Sequence, residues 1–330
     1  MNAPKVVSNL EQLILQPYLT DLKKTIDSKL LGLGSGMSQR GLREQMKYAI
    51  LSPGKRLRPM LALLSIASVG GNIEDGNDLA AAVEIMHAAT LVHDDILDAD
   101  LMRRGMPTVH ERWSVSEAIL TGDALLSLAL DLMANYDGEV LRVFSETGLR
   151  LAEGEYMDLD PSTATSEEGY LERIKRKSAA LFMASTKGGA IAGNGSSLEV
   201  RALSSFGENF GMAFQIRDDV LDLTTLEEGL PLDLKECRIT LPIIHLLQTL
   251  NGDERMEVSN KVKTCSQGDF TNKQEICQEI LRRLDQNGSL EYCKDKIDCY
   301  VNAAITSLQP LKKTAYKIYL ANLAESLRFT

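Results

Sequence analysis

Asp94-Asp95-Ile96-Leu97-Asp98 ends the stretch HAATLVHDDILD, His87 to Asp98, and a near copy, Asp218-Asp219-Val220-Leu221-Asp222, ends GMAFQIRDDVLD, Gly211 to Asp222. Both lie among helix-forming residues. Side chains four apart share one face of a helix, so Asp94 stands with Asp98 and Asp218 with Asp222, each pair aiming two carboxylates in one direction. Like charges so placed cost each helix a few tenths of a kcal/mol. A bound cation offsets that cost. Carboxylate oxygens suit a hard ion such as Mg2+, which keeps some of its waters and takes its remaining ligands from substrate phosphates. The duplicated pattern therefore points to a diphosphate substrate.

Outward from these motifs, apolar residues recur at helical spacing, as in Leu10, Leu13, Ile14 and Leu19, and again in Leu120, Leu125, Leu128 and Leu132. Alternating strand patterns are scarce. Ser52-Pro53-Gly54, Gly70-Gly71-Asn72, Gly105-Met106-Pro107, Asp160-Pro161, Gly193-Asn194-Gly195 and Gly229-Leu230-Pro231 break the pattern into roughly a dozen helices. The alternating glycines of Gly32 to Gly36 follow a helix, where a dinucleotide fold needs a strand, and read as an interhelical loop. Aromatic residues are only 5% of the chain while Ala and Leu abound, a balance suited to close helix packing. The expectation is one large all-α domain over residues 1–330. The charged segment from Glu254 to Thr330 completes or supports its bundle, a separate second domain being the lesser alternative.

With 330 residues, 44% of them hydrophobic, the chain can bury a large core, and its net charge of −10 excludes a broad basic face for nucleic acid. Five cysteines, Cys237, Cys265, Cys277, Cys293 and Cys299, form no CxxC pair, and no basic-then-apolar leader opens the sequence. These features predict a reduced, cytoplasmic setting with structural thiols. No apolar run reaches the ~18 residues of a membrane-spanning helix.

Basic residues accompany the acidic motifs. Arg103-Arg104-Gly105 follows Asp98 by one to two helical turns, and Gly54-Lys55-Arg56-Leu57-Arg58-Pro59 follows the break at Pro53. Arginine's rigid fork matches phosphate oxygens, while glycine and a helix N-terminus let a backbone meet an anion. Ion pairing with the aspartates, or a solvated basic turn, is the plainer alternative for each cluster alone. Lys177-Ser178, Gln215 and the run Lys235 to Thr240 carry further groups able to meet phosphate or a developing cation.

Taken together, GKRLRP at Gly54, HAATLVHDDILD at His87, RRGMPTVH at Arg103, GDALL at Gly122, KSAALF at Lys177, GMAFQIRDDVLD at Gly211 and ITLPIIH at Ile239 resemble, in order, the motifs of the trans-isoprenyl diphosphate synthases. The resemblance implies an all-α helical bundle of the isoprenoid synthase type around a central cavity, usually homodimeric, that joins an allylic diphosphate to isopentenyl diphosphate. It places Asp94, Asp98 and Asp218, with Asp95, Asp219 and Asp222 assisting, on about three Mg2+ ions bound to the allylic diphosphate. Arg103, Lys177 and Gln215 contact the same substrate, and the Lys177 backbone and Ser178 hydroxyl face the allylic cation. Gly54, Lys55, Arg58, His87 and Arg104 take the isopentenyl diphosphate. The product is greasy, so transient membrane association during release is compatible with a chain that has no transmembrane segment.

One stretch departs from the family. Gly229-Leu230-Pro231-Leu232-Asp233-Leu234 is short and lacks the usual lysine, and Cys237-Arg238 replaces a later Gly-Lys; Lys235 or Arg238 is expected to compensate. In the family, residues before the first motif line the product tunnel. Here they are Ala89 and Thr90, both small, with Met86 roughly 12 Å below Asp94 as the next constriction, favouring a product of about C30–C40 over a short-chain geranylgeranyl or farnesyl diphosphate. Three alternatives are weighed. A terpene cyclase carries a different second motif, a non-catalytic subunit of a heteromeric synthase tends to lose its aspartates, and a di-iron bundle needs a second partner for Glu84-x-x-His87.

Overall fold

In the computed structural model the described residues are 9–34, 36, 38–159, 166–224, 231–235, 238–264 and 270–329, with backbone alone described at 232, 235, 264 and 270–273. Gly229, Leu230, Cys237 and Cys265 lie outside them, as does the side chain of Lys235. Seventeen α-helices occur among the described residues: α1 (Asn9–Ile14), α2 (Pro17–Gly32), α3 (Arg40–Ile50), α4 (Leu57–Ser68), α5 (Asn77–Leu97), α6 (Val109–Arg112), α7 (Val115–Met133), α8 (Gly138–Asp158), α9 (Glu167–Ile174), α10 (Ala180–Ala192), α11 (Ser197–Thr224), α12 (Leu232–Lys235), α13 (Leu241–Thr249), α14 (Gly252–Thr264), α15 (Phe270–Gln286), α16 (Ser289–Ser307) and α17 (Ala315–Glu325). Among the described residues the one sheet is a hairpin of two-residue strands, β1 (Met102–Arg103) against β2 (Met106–Pro107). The all-α reading holds.

Contacts divide the chain into two compact units, Met1–Leu149 with Leu181–Gly207 and Ile305–Ser326, and Arg150–Ala180 with Glu208–Ala304 and Leu327–Thr330. In the first, α4 (LRPMLALLSIAS) is apolar apart from Arg58 and two serines, and every residue but Arg58 is buried, as a helix with so little polar face must be. Helix α5 packs most extensively against α7. Helix α10 lies so close to α4 that a Cβ on Gly189 would stand 2.4 Å from the Ala62 carbonyl oxygen. The scarcity of aromatic residues thus has a structural counterpart in small-residue helix contacts.

The second unit is built around Leu223, Leu234, Ile243, Leu246, Val258, Cys277 and Ile280, all buried. Helices α14 and α15 supply part of this core, whereas Ile305–Ser326 belong to the first unit. Polar caps fix the helix starts that matter here. Ser196 and Glu199 form a reciprocal capping box at the head of α11, and the Ser166 hydroxyl accepts from the Gly169 N–H at the head of α9. No helix among the described residues is long and apolar enough to cross a membrane.

Because Gly189 faces backbone rather than a flexible side chain, Gly189→Ala is expected to prise α10 from α4 and destabilise the protein by about 1–3 kcal/mol, read as a lower urea midpoint at unchanged slope.

Candidate functional site

The first acidic motif sits at the C-terminal end of α5. The helix ends at Leu97, and Asp98 closes the last turn with its N–H on the Asp94 carbonyl at 2.9 Å. Asp94 and Asp98 are partly exposed, whereas Asp95 is buried. That difference follows from helix geometry, since the second residue of the motif is turned about 100° from the first and fifth. Arg103 donates through Nε to the Asp95 carboxylate and through Nη2 to Asp100 at 3.3 Å, and lies 3.9 Å from the Asp94 carboxylate. Burial pushes Asp95 up to about 6, against the opposing pull of Arg103. In the ligand-free protein, therefore, Arg103 is an ion-pair partner of the aspartates.

The hairpin that carries the arginines escaped the sequence reading. Its two central residues, Arg104 (φ 53°) and Gly105 (φ 77°), both have positive φ, as a type I′ turn requires. Arg104 is thereby turned back toward the other basic cluster, where its Nη1 donates to the Pro53 carbonyl. Gly54 makes this approach possible, because a Cβ there would stand 2.9 Å from that same nitrogen. The two basic clusters, separated in sequence, meet at this point.

Arg56 also adopts a left-handed conformation (φ 54°, ψ 35°) and forms the N-cap of α4. Its guanidinium is buried between Asp27 of α2, at 2.9 Å, and Glu84 of α5, at 2.6 Å. Glu84 is thus a buried ion-pair partner and no metal ligand. Past this turn, Arg58 stacks on Phe182 at 4.1 Å and donates through Nη1 toward His87 Nε2 at 3.3 Å, while Lys55 pairs with Glu11 at 3.2 Å. Desolvation lowers the His87 pKa well below its usual value, and Arg58, Arg104 and Arg103 push it the same way. His87 borders a cleft of about 510 Å3, part of it open to solvent, whose lining also includes Ser52, Glu84, Asp95, Arg103 and Arg104.

The three positions assigned to product length also lie on α5. Ala89 is fully buried, Met86 is nearly so, and its methyl group abuts Gly148 of α8. Thr90 is partly exposed and donates its hydroxyl to the His87 carbonyl at 2.8 Å. As the side chains stand, no solvent reaches Ala89. His93 and His110 make local contacts, to the Ile119 carbonyl and to Thr108.

In the second unit, Asp218 and Asp222 of α11 are accessible and Asp219 is buried, repeating the arrangement of the first motif. Burial raises the Asp219 pKa, while hydrogen bonds from Tyr170 and Gln215 pull it down. One Asp222 oxygen accepts the N–H of Asp233 at 2.9 Å, tying α12 to the end of α11. Lys177 and Ser178 lie in a π-helical turn, Lys175–Ala179, between α9 and α10. Such turns are rare and frequent at functional sites. Lys177 Nζ is held by Glu155 and Asp158, each at 2.7 Å, and Ser178 donates to Gln215 Oε1 at 2.7 Å. Arg238 is half-buried, with its N–H on the Asp233 carbonyl at 2.7 Å. Glu155, Asp158, Tyr170 and Asp27 went unseen in the sequence. Only Tyr170 left a trace there, seven residues before Lys177.

Among the described residues no cluster of three or more Asp, Glu, His or Cys forms a ready-made metal site. The accessible pairs, Asp94 with Asp98 and Asp218 with Asp222, have the hard oxygen donors that Mg2+ takes, and water and a diphosphate supply the rest of such a shell. The donor set fits the ion.

The polyprenyl synthetase family model matches residues 39–281, so it runs through both units. Geranylgeranyl diphosphate synthase of Methanosarcina mazei is 35% identical over 86% of this chain and 88% of its own. All-trans-nonaprenyl-diphosphate synthase (geranyl-diphosphate specific) of Rhodobacter capsulatus is 34% identical over 84% and 85%. The crystal structure of a decaprenyl diphosphate synthase from Rhodobacter capsulatus superposes with a TM-score of 0.86 at 30% identity, covering 96% of this chain and 98% of that one. A helical fold, two acidic motifs with matching burial patterns, and a family match over most of its length make this chain a member of the polyprenyl synthetase family.

Proposed function

We infer that the protein is a prenyltransferase that condenses isopentenyl diphosphate with an allylic diphosphate and releases diphosphate. The observation that carries this reading is the meeting of His87, Arg103 and Arg104 around one cleft beside the first aspartate motif, with Arg58 reaching His87 and Gly54 admitting Arg104.

The chemistry is set by charge. Breaking the allylic C–O bond sends the electron pair to the departing diphosphate, so groups that meet the new negative charge favour the transition state over the substrate. Asp94 with Asp98 in the first unit and Asp218 with Asp222 in the second would offer carboxylate oxygens to Mg2+, and the ion when bound neutralises charge on the diphosphate oxygens. Arg103 and Lys177 exchange their resting carboxylate partners for phosphate oxygens. Arg58, Lys55 and Arg104 hold the isopentenyl diphosphate, while neutral His87 accepts from Arg58 and keeps its fork in place. The isopentenyl double bond attacks the allylic carbon, and the proton lost afterwards goes to the departed diphosphate. Ser178 gives its one hydrogen to Gln215, which leaves oxygen lone pairs for the electron-poor carbon.

Product length is set in this reading by α5. Small Ala89 and Thr90 favour elongation past farnesyl, with Met86 against Gly148 as the floor. Relatives of similar identity make products as different as geranylgeranyl and nonaprenyl diphosphates, so the side chains of this chain decide. The family match through both units supports treating the chain as one domain. A homodimer is supported by the apolar stripe of Val115, Ile119 and Leu130 exposed along one side of α7. Buried free thiols at Cys277 and Cys293 suit a reducing cytoplasm.

Incubation with Mg2+, labelled isopentenyl diphosphate and each allylic primer should give linear polyprenyl diphosphates, and Asp94→Ala or Asp218→Ala should each lower turnover by at least about a hundredfold. Cyclic hydrocarbon, or no turnover by the unaltered protein, would sink the assignment. Ala89→Phe should shorten the product, as sized by chromatography. His87 bears on pH dependence. Its pKa is depressed in the fold, so the unfolded chain binds the extra proton, and stability falls as pH drops below about 6.5. In denaturant titrations at pH 5 and 7.5, His87→Gln should lose less stability on acidification than the parent.

A further inference from the structure

Asp219 occupies the second position of the second acidic motif, yet both of its oxygens are committed within the protein. The Tyr170 hydroxyl donates to Oδ2 at 2.6 Å, and Gln215 Nε2 donates to Oδ1 at 2.7 Å. Gln215 in turn accepts from Ser178 at 2.7 Å. Tyr170 is completely buried, as one of the largest fully enclosed side chains, and Asp219 is buried beside it. A phenol enclosed in a core normally finds one partner; this one finds the carboxylate of a motif whose neighbour, Asp218, is exposed.

The Tyr170 ring makes a second connection. Arg173 lies over it at 5.5 Å and pairs with Asp158 at 2.8 Å, and Asp158 also holds Lys177. Tyr170 therefore reaches the Lys177-Ser178 pair by two routes, through Asp219 and Gln215 to the Ser178 hydroxyl and through Arg173 and Asp158 to the Lys177 ammonium. The contacts themselves give the directions: Gln215 presents its amide nitrogen to Asp219 and its oxygen to Ser178, so Ser178 gives up its only hydrogen there.

We propose that Tyr170 and Asp219 are positioning residues: the relay from Tyr170 through Asp219 and Gln215 locks the Ser178 hydroxyl with its lone pairs free, and Asp219, unlike Asp218, does not ligate the cation. The assignment rests on the prenyl-transfer reading above. It separates two aspartates that adjoin in sequence into different tasks, one facing the ligand and one facing the core.

Tyr170→Phe removes one hydroxyl and keeps the ring, and Asp219→Asn keeps the shape but turns an amide nitrogen toward Gln215. Each variant is assayed for turnover and for KM of both substrates, and by calorimetry for binding of Mg2+ with inorganic diphosphate. Turnover is expected to fall roughly tenfold in Tyr170→Phe and further in Asp219→Asn. The isopentenyl KM and the Mg2+–diphosphate affinity should stay within about twofold of the parent, and the double variant should be no worse than Asp219→Asn, as members of one relay are not additive. Full turnover in Tyr170→Phe would overturn the proposal, as would a loss of more than about tenfold in Mg2+–diphosphate affinity in Asp219→Asn alone. Loss of a cooperative thermal melt in both variants would assign the pair to folding and overturn it too. An unaltered protein inactive on every primer would instead defeat the prenyl-transfer reading, and the calorimetric comparison would still report whether Asp219 is a ligand.

Discussion

The first unit depends on one buried cation. Arg56 sits in a left-handed backbone conformation that costs a non-glycine residue about 1 kcal/mol or more, and it is kept there by Asp27 and Glu84 on two different helices. Removing either carboxylate would leave a guanidinium buried with half its compensation, and breaking such pairs typically costs about 3–5 kcal/mol. That is enough to hold the turn. The turn in its place starts α4, from which Lys55 meets Glu11 and Arg58 meets His87, and leaves Gly54 bare for Arg104 to cross. The meeting of the two basic clusters is thus a by-product of an ion pair buried within the unit.

The same economy appears in both acidic motifs. A helix allows the first and fifth residues of the pentapeptide to share a face but turns the second aside, so a motif written with adjacent aspartates must use them differently. In the first unit the inward aspartate receives Arg103, and in the second it receives Tyr170 and Gln215. Each outward pair faces solvent while the inward residue ties its helix to a side chain from elsewhere in the sequence or one turn back. Two carboxylates on one face repel, and a divalent ion would offset that repulsion.

Much of this was legible in the sequence, and the reason is locality. The helical periodicity, the breaks at Ser52-Pro53-Gly54 and Gly70-Gly71, and the spacing of Asp94 to Asp98 are read over a few residues, and each survives in the fold. Arg58 and His87 were grouped through the family resemblance, and the structure places them 3.3 Å apart. What stayed hidden depends on distant partners. Nothing near Asp27 marks it as the partner of Arg56, and nothing near Glu155 or Asp158 announces Lys177. The hairpin at Arg104-Gly105 is too short to show an alternating pattern, and the burial of Ala89 is decided by neighbouring helices rather than by its own small size.

The π-helical turn at Lys175–Ala179 has a bearing on how such a protein changes over generations. It contains one residue more than an α-helical turn would, and that surplus residue sits where Lys177 and Ser178 are displayed. Loss of a single codon there would let α9 and α10 fuse into an uninterrupted helix, a change that backbone hydrogen bonding tolerates well. Such a deletion would keep a sound scaffold while turning Lys177 and Ser178 out of register with Asp158 and Gln215.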